Sequence, residues 1–142
     1  MKKLQFSIDI NAPKEKVWDA LWNDENYRKW TATFQEGSYY ESDLKQGSEI
    51  LFLSPEKNGM FGVVEEVVPF EKMYFLHKGE IQNGEKQAET YDENAVERYD
   101  LVESGGKTEL TVSVNAPEDY IPYFAEVFPI ALEKVKDIAE NF

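Results

Sequence analysis

The chain has 142 residues, 15 of them basic and 28 acidic, for a formal net charge of −13. A surface of that sign repels phosphate backbones and anionic headgroups, so neither nucleic acid nor a membrane is an expected partner. Zero cysteines exclude disulfides, thiolate catalysis and cysteine zinc sites together. The length suits one domain, residues 1–142, and 42% hydrophobic with 14% aromatic residues is enough for a large core. No apolar run approaches the ~20 residues that span a bilayer. Met1-Lys2-Lys3 leads directly into strand alternation rather than an apolar signal core. A soluble cytoplasmic protein is the expectation. The acidic residues are scattered rather than gathered in a tail, as in a solvated surface; a docking face for a basic partner is the alternative reading.

Phe6, Ile8 and Ile10 alternate with Ser7 and Asp9, the period of a half-buried strand. Pro13 suits the first turn of a helix, because it lacks only an amide hydrogen that would be unpaired there. Val17, Ala20 and Leu21 share one face of that helix, and Asp24 is placed to cap a second one carrying Tyr27 and Trp30. A strand with Tyr39 and Tyr40 follows within 35–43, and Gln46-Gly47-Ser48 turns the chain into the apolar strand EILFLS, 49–54. PEKNG, 55–59, contains an Asn-Gly pair and predicts a hairpin. Further strands are expected at 60–68 and 71–80. Residues 81–94, polar and without apolar pattern, read as a mobile loop or a lengthened hairpin. Two last strands, 95–103 and 107–116, are joined by Ser104-Gly105-Gly106. A final helix is expected with Asp119 as cap and Pro122 in its first turn. Ile121, Phe124, Phe128, Leu132, Val135 and Ile138 form its apolar stripe, and Pro129 should kink it near Ala125.

The segment Phe6 to Trp30, with Ala12-Pro13, Val17-Trp18, Ala20-Leu21 and Trp30, resembles the helix-grip domains of the START-like (SRPBCC) superfamily. The nearest likeness is the branch of homologues of the activator of heat shock protein 90 ATPase. Gly47 matches the glycine usual after the second strand, although Gln46 stands where a first glycine is common. The order β-α-α-β6-α agrees from end to end. The resemblance implies an α+β fold in which a curved antiparallel sheet wraps a long C-terminal helix. It also implies a range of functions: carriers of lipids, sterols and hormones, polyketide aromatase-cyclases, and co-chaperone domains. The co-chaperones bear a large additional N-terminal domain, so the resemblance alone does not imply stimulation of a chaperone ATPase.

A bent sheet and a straight helix cannot touch along their whole length, and the gap between them becomes a mostly apolar pocket. Parity and stripe position nominate its lining. Phe124 and Phe128 come from the helix, Tyr40, Phe52, Phe61, Phe75, His77 and Tyr99 from the strands, and Trp30 closes one wall. Ordinary core packing is the competing account of each aromatic. His77, the only histidine, is either a hydrogen-bonded core or rim residue or the holder of a ligand's polar tip; a catalytic base would need an orienting partner. No Gly-x-Ser-x-Gly turn, calcium-loop spacing or phosphate loop occurs, so no catalytic residue, metal or cofactor is expected. The expected function is noncatalytic binding of a small apolar or aromatic molecule. The alternatives are a module docking on a chaperone or other protein, and a cyclase- or hydratase-like enzyme using His77, Tyr40 and Tyr99.

Overall fold

Strand β1 (Lys2–Ile10) pairs antiparallel along its whole length with β8 (Lys107–Ala116), so the two ends of the chain's sheet region meet at one edge. The computed structural model describes residues 2–141. Between these strands come α1 (Lys14–Trp22), α2 (Asp24–Thr31), β2 (Tyr39–Glu41), β3 (Glu49–Leu53), β4 (Gly59–Val68), β5 (Lys72–Gln82), β6 (Glu85–Lys86) and β7 (Val96–Ser104). A 3-10 turn (Glu118–Tyr120) leads into α3 (Ile121–Glu140). The sheet is open and antiparallel, in the order β1-β8-β7-β5-β4-β3-β2, with β6 folded back on β5. This is the expected α+β helix-grip arrangement with one additional two-residue strand.

Local chemistry explains most element ends, with some reassignment. Pro13 sits one position ahead of α1, its carbonyl accepting from the Lys16 and Val17 amides at 3.0 and 3.2 Å. Asn23, not Asp24, caps α2: its side-chain oxygen accepts from the Asn26 amide at 3.3 Å. Asp24 is instead the first helical residue and holds Arg28 one turn on, at 3.0 Å. Asp119 falls in the 3-10 turn, and no side chain caps α3. Pro122 is in the first turn as expected, and the helix runs as one element through Pro129.

The hairpins also differ from the simplest sequence reading. At 55–59 the left-handed residue is Lys57 (φ 65°), while Gly59 already belongs to β4. Glycine is needed there because a Cβ would lie 1.8 Å from the Phe52 carbonyl oxygen. The tight Asn-Gly turn is Asn83-Gly84 (φ 53° and 81°), which pairs Gln82 with Glu85. Two left-handed residues match the twist of the flanking strands. Residues 87–95 then run beside β5: the Gln87 and Tyr91 amides donate to Glu80 and Lys78, and the His77 amide donates to Ala95. The 81–94 stretch is therefore a lengthened hairpin tied to the sheet.

Helix α3 packs on β1, α1 and α2. It buries Val127, Phe128, Ala131, Leu132, Val135 and Ala139, with Phe124 and Ile138 half-buried beside them. The expected stripe is thus present but wider. The β4–β5 ladder shifts register at Phe61/Gly62 and again at Val64/Glu66. Each such irregularity inserts an unpaired residue and changes which face the following side chains occupy.

Candidate functional site

Strands β5 and β7 bring the polar part of the interior together. Phe75 and His77 alternate inward on β5, and the register sets Glu97 opposite Phe75 and Tyr99 opposite Met73. His77 is 7% exposed; its Nε2 lies 3.0 Å from Glu97 Oε1. The Tyr99 hydroxyl donates to Glu97 Oε2 at 2.5 Å. Burial, and then the Glu97 charge, push the Tyr99 phenol well above its usual range, and the same two causes in that order act on Tyr27. Tyr99 therefore keeps its proton and donates it. A carboxylate can only accept, so Glu97 selects the His77 tautomer that carries its hydrogen on Nε2. In that neutral tautomer His77 Nδ1 is a buried acceptor with no hydrogen-bond partner among the described residues.

Aromatic rings surround this trio. Phe52 lies 5.3 Å from the His77 ring and 5.2 Å from Phe75. Trp22 meets Tyr99 at 4.9 Å and Phe75 at 5.4 Å, both edge to face. Trp30 contacts Tyr99 at 6.3 Å and is anchored by Nε1 donating to the Leu21 carbonyl at 3.0 Å. Tyr40 packs edge-on to Tyr27 at 4.7 Å and donates its hydroxyl to the Trp22 carbonyl. Such edge-to-face pairs each add about 0.5–1.5 kcal/mol beyond area burial. Burial, then Asp24, raises the Tyr40 phenol.

A second aromatic group lies under the first half of α3. Phe128 stacks on Phe6 at 4.9 Å and meets Phe34 at 4.8 Å and Phe124 at 5.5 Å. The two groups touch where Phe34 reaches Trp30, at 6.5 Å. Of the nine expected lining residues, Trp30, Tyr40, Phe52, Phe75, His77 and Tyr99 share the first group, and Phe124 and Phe128 share the second. Phe61 belongs elsewhere: it packs with Leu53 and Ile81 in a separate small cluster. The register shift at Val64/Glu66 is the reason. Val67 pairs with inward Met73, but past the extra residue the inward positions become Val64 and Gly62, and Phe61 faces the other way beside Leu51.

The open hollow expected beneath α3 is instead occupied by ring-on-ring contacts. Of two concavities, one lies away from these rings and the other borders them at Phe6. One of about 400 Å³ is walled by Lys3, Gln5, Tyr74, Arg98, Asp100 and their neighbours. There the Tyr74 hydroxyl donates to Asp100 at 2.6 Å, and its phenol is pushed up to about 12 by desolvation and that carboxylate. The other, about 170 Å³, is a groove between β1 and α3.

Three central residues were missed from sequence. Glu97 had a usable signal, being a charge two positions before Tyr99 and so on the same face of its strand. Trp22 and Phe34 had none, because helix packing and the loop after α2 place them. Among the described residues no group of three His, Asp or Glu is placed to hold a metal ion. No described helix is long and apolar enough to cross a membrane.

Residues 11–138 match the family model described as activator of Hsp90 ATPase homolog 1-like protein. No curated protein matches the chain in sequence. Among solved structures, it is similar to the Aha1 dimer from Colwellia psychrerythraea, with TM-score 0.73 and 19% identity over 99% of this chain and 97% of that one. It is also similar to protein MLL2253 from Mesorhizobium loti, with TM-score 0.72 and 14% identity over 99% and 98% of the two chains. For CalU16 from Micromonospora echinospora the TM-score is 0.68 and the identity 14%, over 96% of this chain and 75% of that one. At these identities the likeness to solved structures establishes the fold. The match to the family model covers most of the chain, from the residue before Ala12-Pro13 to Ile138 near the end of α3. By that match, the chain belongs to the activator of Hsp90 ATPase homolog 1-like family.

Proposed function

We propose that this domain is a noncatalytic binding protein for a small aromatic molecule that carries one hydrogen-bond donor. The observation that carries the reading is His77: Nε2 is committed to Glu97, while Nδ1, an acceptor in the neutral ring, is buried without a partner among the described residues. Leaving a buried polar atom unpaired costs about 1–3 kcal/mol, which a ligand N–H or O–H pointed at Nδ1 recovers. The half-buried rings of Phe52 beside His77, and of Phe34 and Phe124 under α3, are the parts of the filling that give way to a guest. The aromatic walls left behind suit a flat apolar body.

The test compares indole with N-methylindole by NMR titration. One neutral hydrogen bond is worth about 0.5–1.5 kcal/mol, so indole binds roughly two- to tenfold more tightly. In His77→Leu the preference disappears while some apolar affinity remains. Equal affinities in the parent protein, or no saturable binding of either compound, would sink the reading.

A second reading, docking on another protein such as a chaperone, is favoured by the family description and by the exposed rings of Tyr120 (57%) and Tyr123 (40%) at the start of α3. Retention of the protein by a chaperone column, lost on Tyr120→Ser, decides it. The enzyme reading draws on the same His77–Glu97–Tyr99 trio, but Tyr40, its third candidate, spends its hydroxyl on the Trp22 carbonyl.

A further inference from the structure

Strand β1 is one edge of the sheet, and its nine residues pair with β8 in unbroken register. Every second residue of such a strand offers an N–H and a C=O on its free side. Proteins usually blunt long edges with proline, a bulge, a covering loop or charged side chains, and of these β1 carries only the charges Lys2, Lys3 and Asp9. The sequence from Lys2 to Ile10 has no proline, and its pairing with β8 shows no bulge.

We infer that β1 pairs antiparallel with β1 of a second copy of this chain, forming a two-fold dimer with a sheet continuous across both molecules. The charge pattern of the strand selects this occupant. Turning the strand about Phe6 lays all nine residues against the copy, with Leu4 opposite Ile8, Gln5 opposite Ser7 and Phe6 opposite itself. The same register sets Lys3 opposite Asp9 of the second copy, twice over because of the symmetry. Shifting by two residues in either direction loses both the full overlap and this pairing.

Within one chain these two charges are unsatisfied. Asp9 sits directly across from Glu109 of β8, a like-charge cross-strand pair that is unfavourable. Lys3 faces the neutral Asn115, and among the described residues neither Lys3 nor Asp9 forms an ion pair. A second copy brings its Lys3 to the other side of Asp9 and relieves the repulsion.

The flanking surface agrees with this register. On the α3 side of β1 lies the 170 Å³ groove lined by Phe6, Ile8, Pro129 and Leu132, with Ile130 51% exposed nearby. The two-fold brings the two grooves face to face, so that each copy covers the other's apolar edge. Net charge opposes association in general, but that field is screened beyond about 8–10 Å while the Lys3–Asp9 contacts are direct.

The experiment is sedimentation equilibrium on the full chain at moderate salt. The parent protein is expected to be a dimer. Lys3→Asp alone and Asp9→Lys alone each turn two attractive contacts into two repulsive ones and weaken dimerisation about tenfold. The double swap Lys3→Asp with Asp9→Lys restores it. All four residues of the exchanged pairs are exposed, so each variant keeps its fold, which circular dichroism verifies. Asp9→Lys also relieves the repulsion by Glu109 within each chain, so its weakened dimerisation cannot come from a loosened β1. A parent chain still monomeric at about 100 µM overturns the inference and leaves the edge to a strand of another protein. A dimer indifferent to the single swaps, or not recovered by the double one, overturns it as well.

Discussion

Replacing Phe128 by alanine asks directly whether the space under α3 is filled. Phe128 is 4% exposed and its ring touches those of Phe6, Phe34 and Phe124. Removing a buried phenyl forfeits about 2 kcal/mol of transfer free energy. The hole left, on the order of 100 Å³, adds about 2 kcal/mol at ~24 cal/mol per Å³ if nothing collapses into it. Partial relaxation of half-buried Phe34 and Phe124 brings the expected loss to about 3–4 kcal/mol. A domain of ordinary stability, about 5–15 kcal/mol, survives that loss. Urea unfolding of both proteins measures the difference through the shift in midpoint at constant slope. The variant should also take up an apolar probe such as benzene that the parent takes up less well. A loss below about 1 kcal/mol would mean that Phe128 already borders a void, and the description of a filled interior would be wrong.

Two further outcomes are expected. Tyr27 and Tyr99 have phenols raised in the folded state, by burial first and by Glu97 second. The unfolded chain releases those protons near pH ~10 while the native state retains them, so their stabilisation is full below that pH. It is lost as pH rises through the folded values. Urea midpoints should therefore fall from about pH 9 upward, with phenolate absorbance rising together with unfolding; ionisation of all tyrosines ahead of unfolding would contradict the burial argument. Gly59→Ala places a methyl 1.8 Å from the Phe52 carbonyl and should cost about 2 kcal/mol or more, read as a loss in melting temperature. An unchanged melting temperature there would show that the β3–β4 approach is looser than described.

The nearest-neighbour chemistry of the chain was legible without coordinates, and the long-range chemistry was not. Alternation at Phe6, Ile8 and Ile10 and the three-four spacing from Phe124 to Ile138 mark β1 and α3, because those periods come from backbone geometry within one element. The Asn-Gly rule, applied at Asn58-Gly59, misplaced the left-handed residue, which is Lys57; the tight Asn-Gly turn is Asn83-Gly84, inside the stretch read only as a loop or lengthened hairpin. Six of the nine candidate lining residues gather around one buried polar group, since inward parity holds wherever the ladder is regular. Phe61 departs from that pattern because a bulge between two strands depends on both of them, and no single-strand pattern records it.

The sequence by itself determined the order of elements, the inward faces of the regular strands and the family, all of which follow from residue patterns local in the chain. Tertiary structure alone decided that Trp22, Phe34 and Glu97 complete the interior and that rings rather than a hollow lie beneath α3. The physical reason is that side-chain volume is shared among elements distant in sequence. Whether a curved surface and a rod enclose a gap depends on how those volumes sum, which no individual segment specifies.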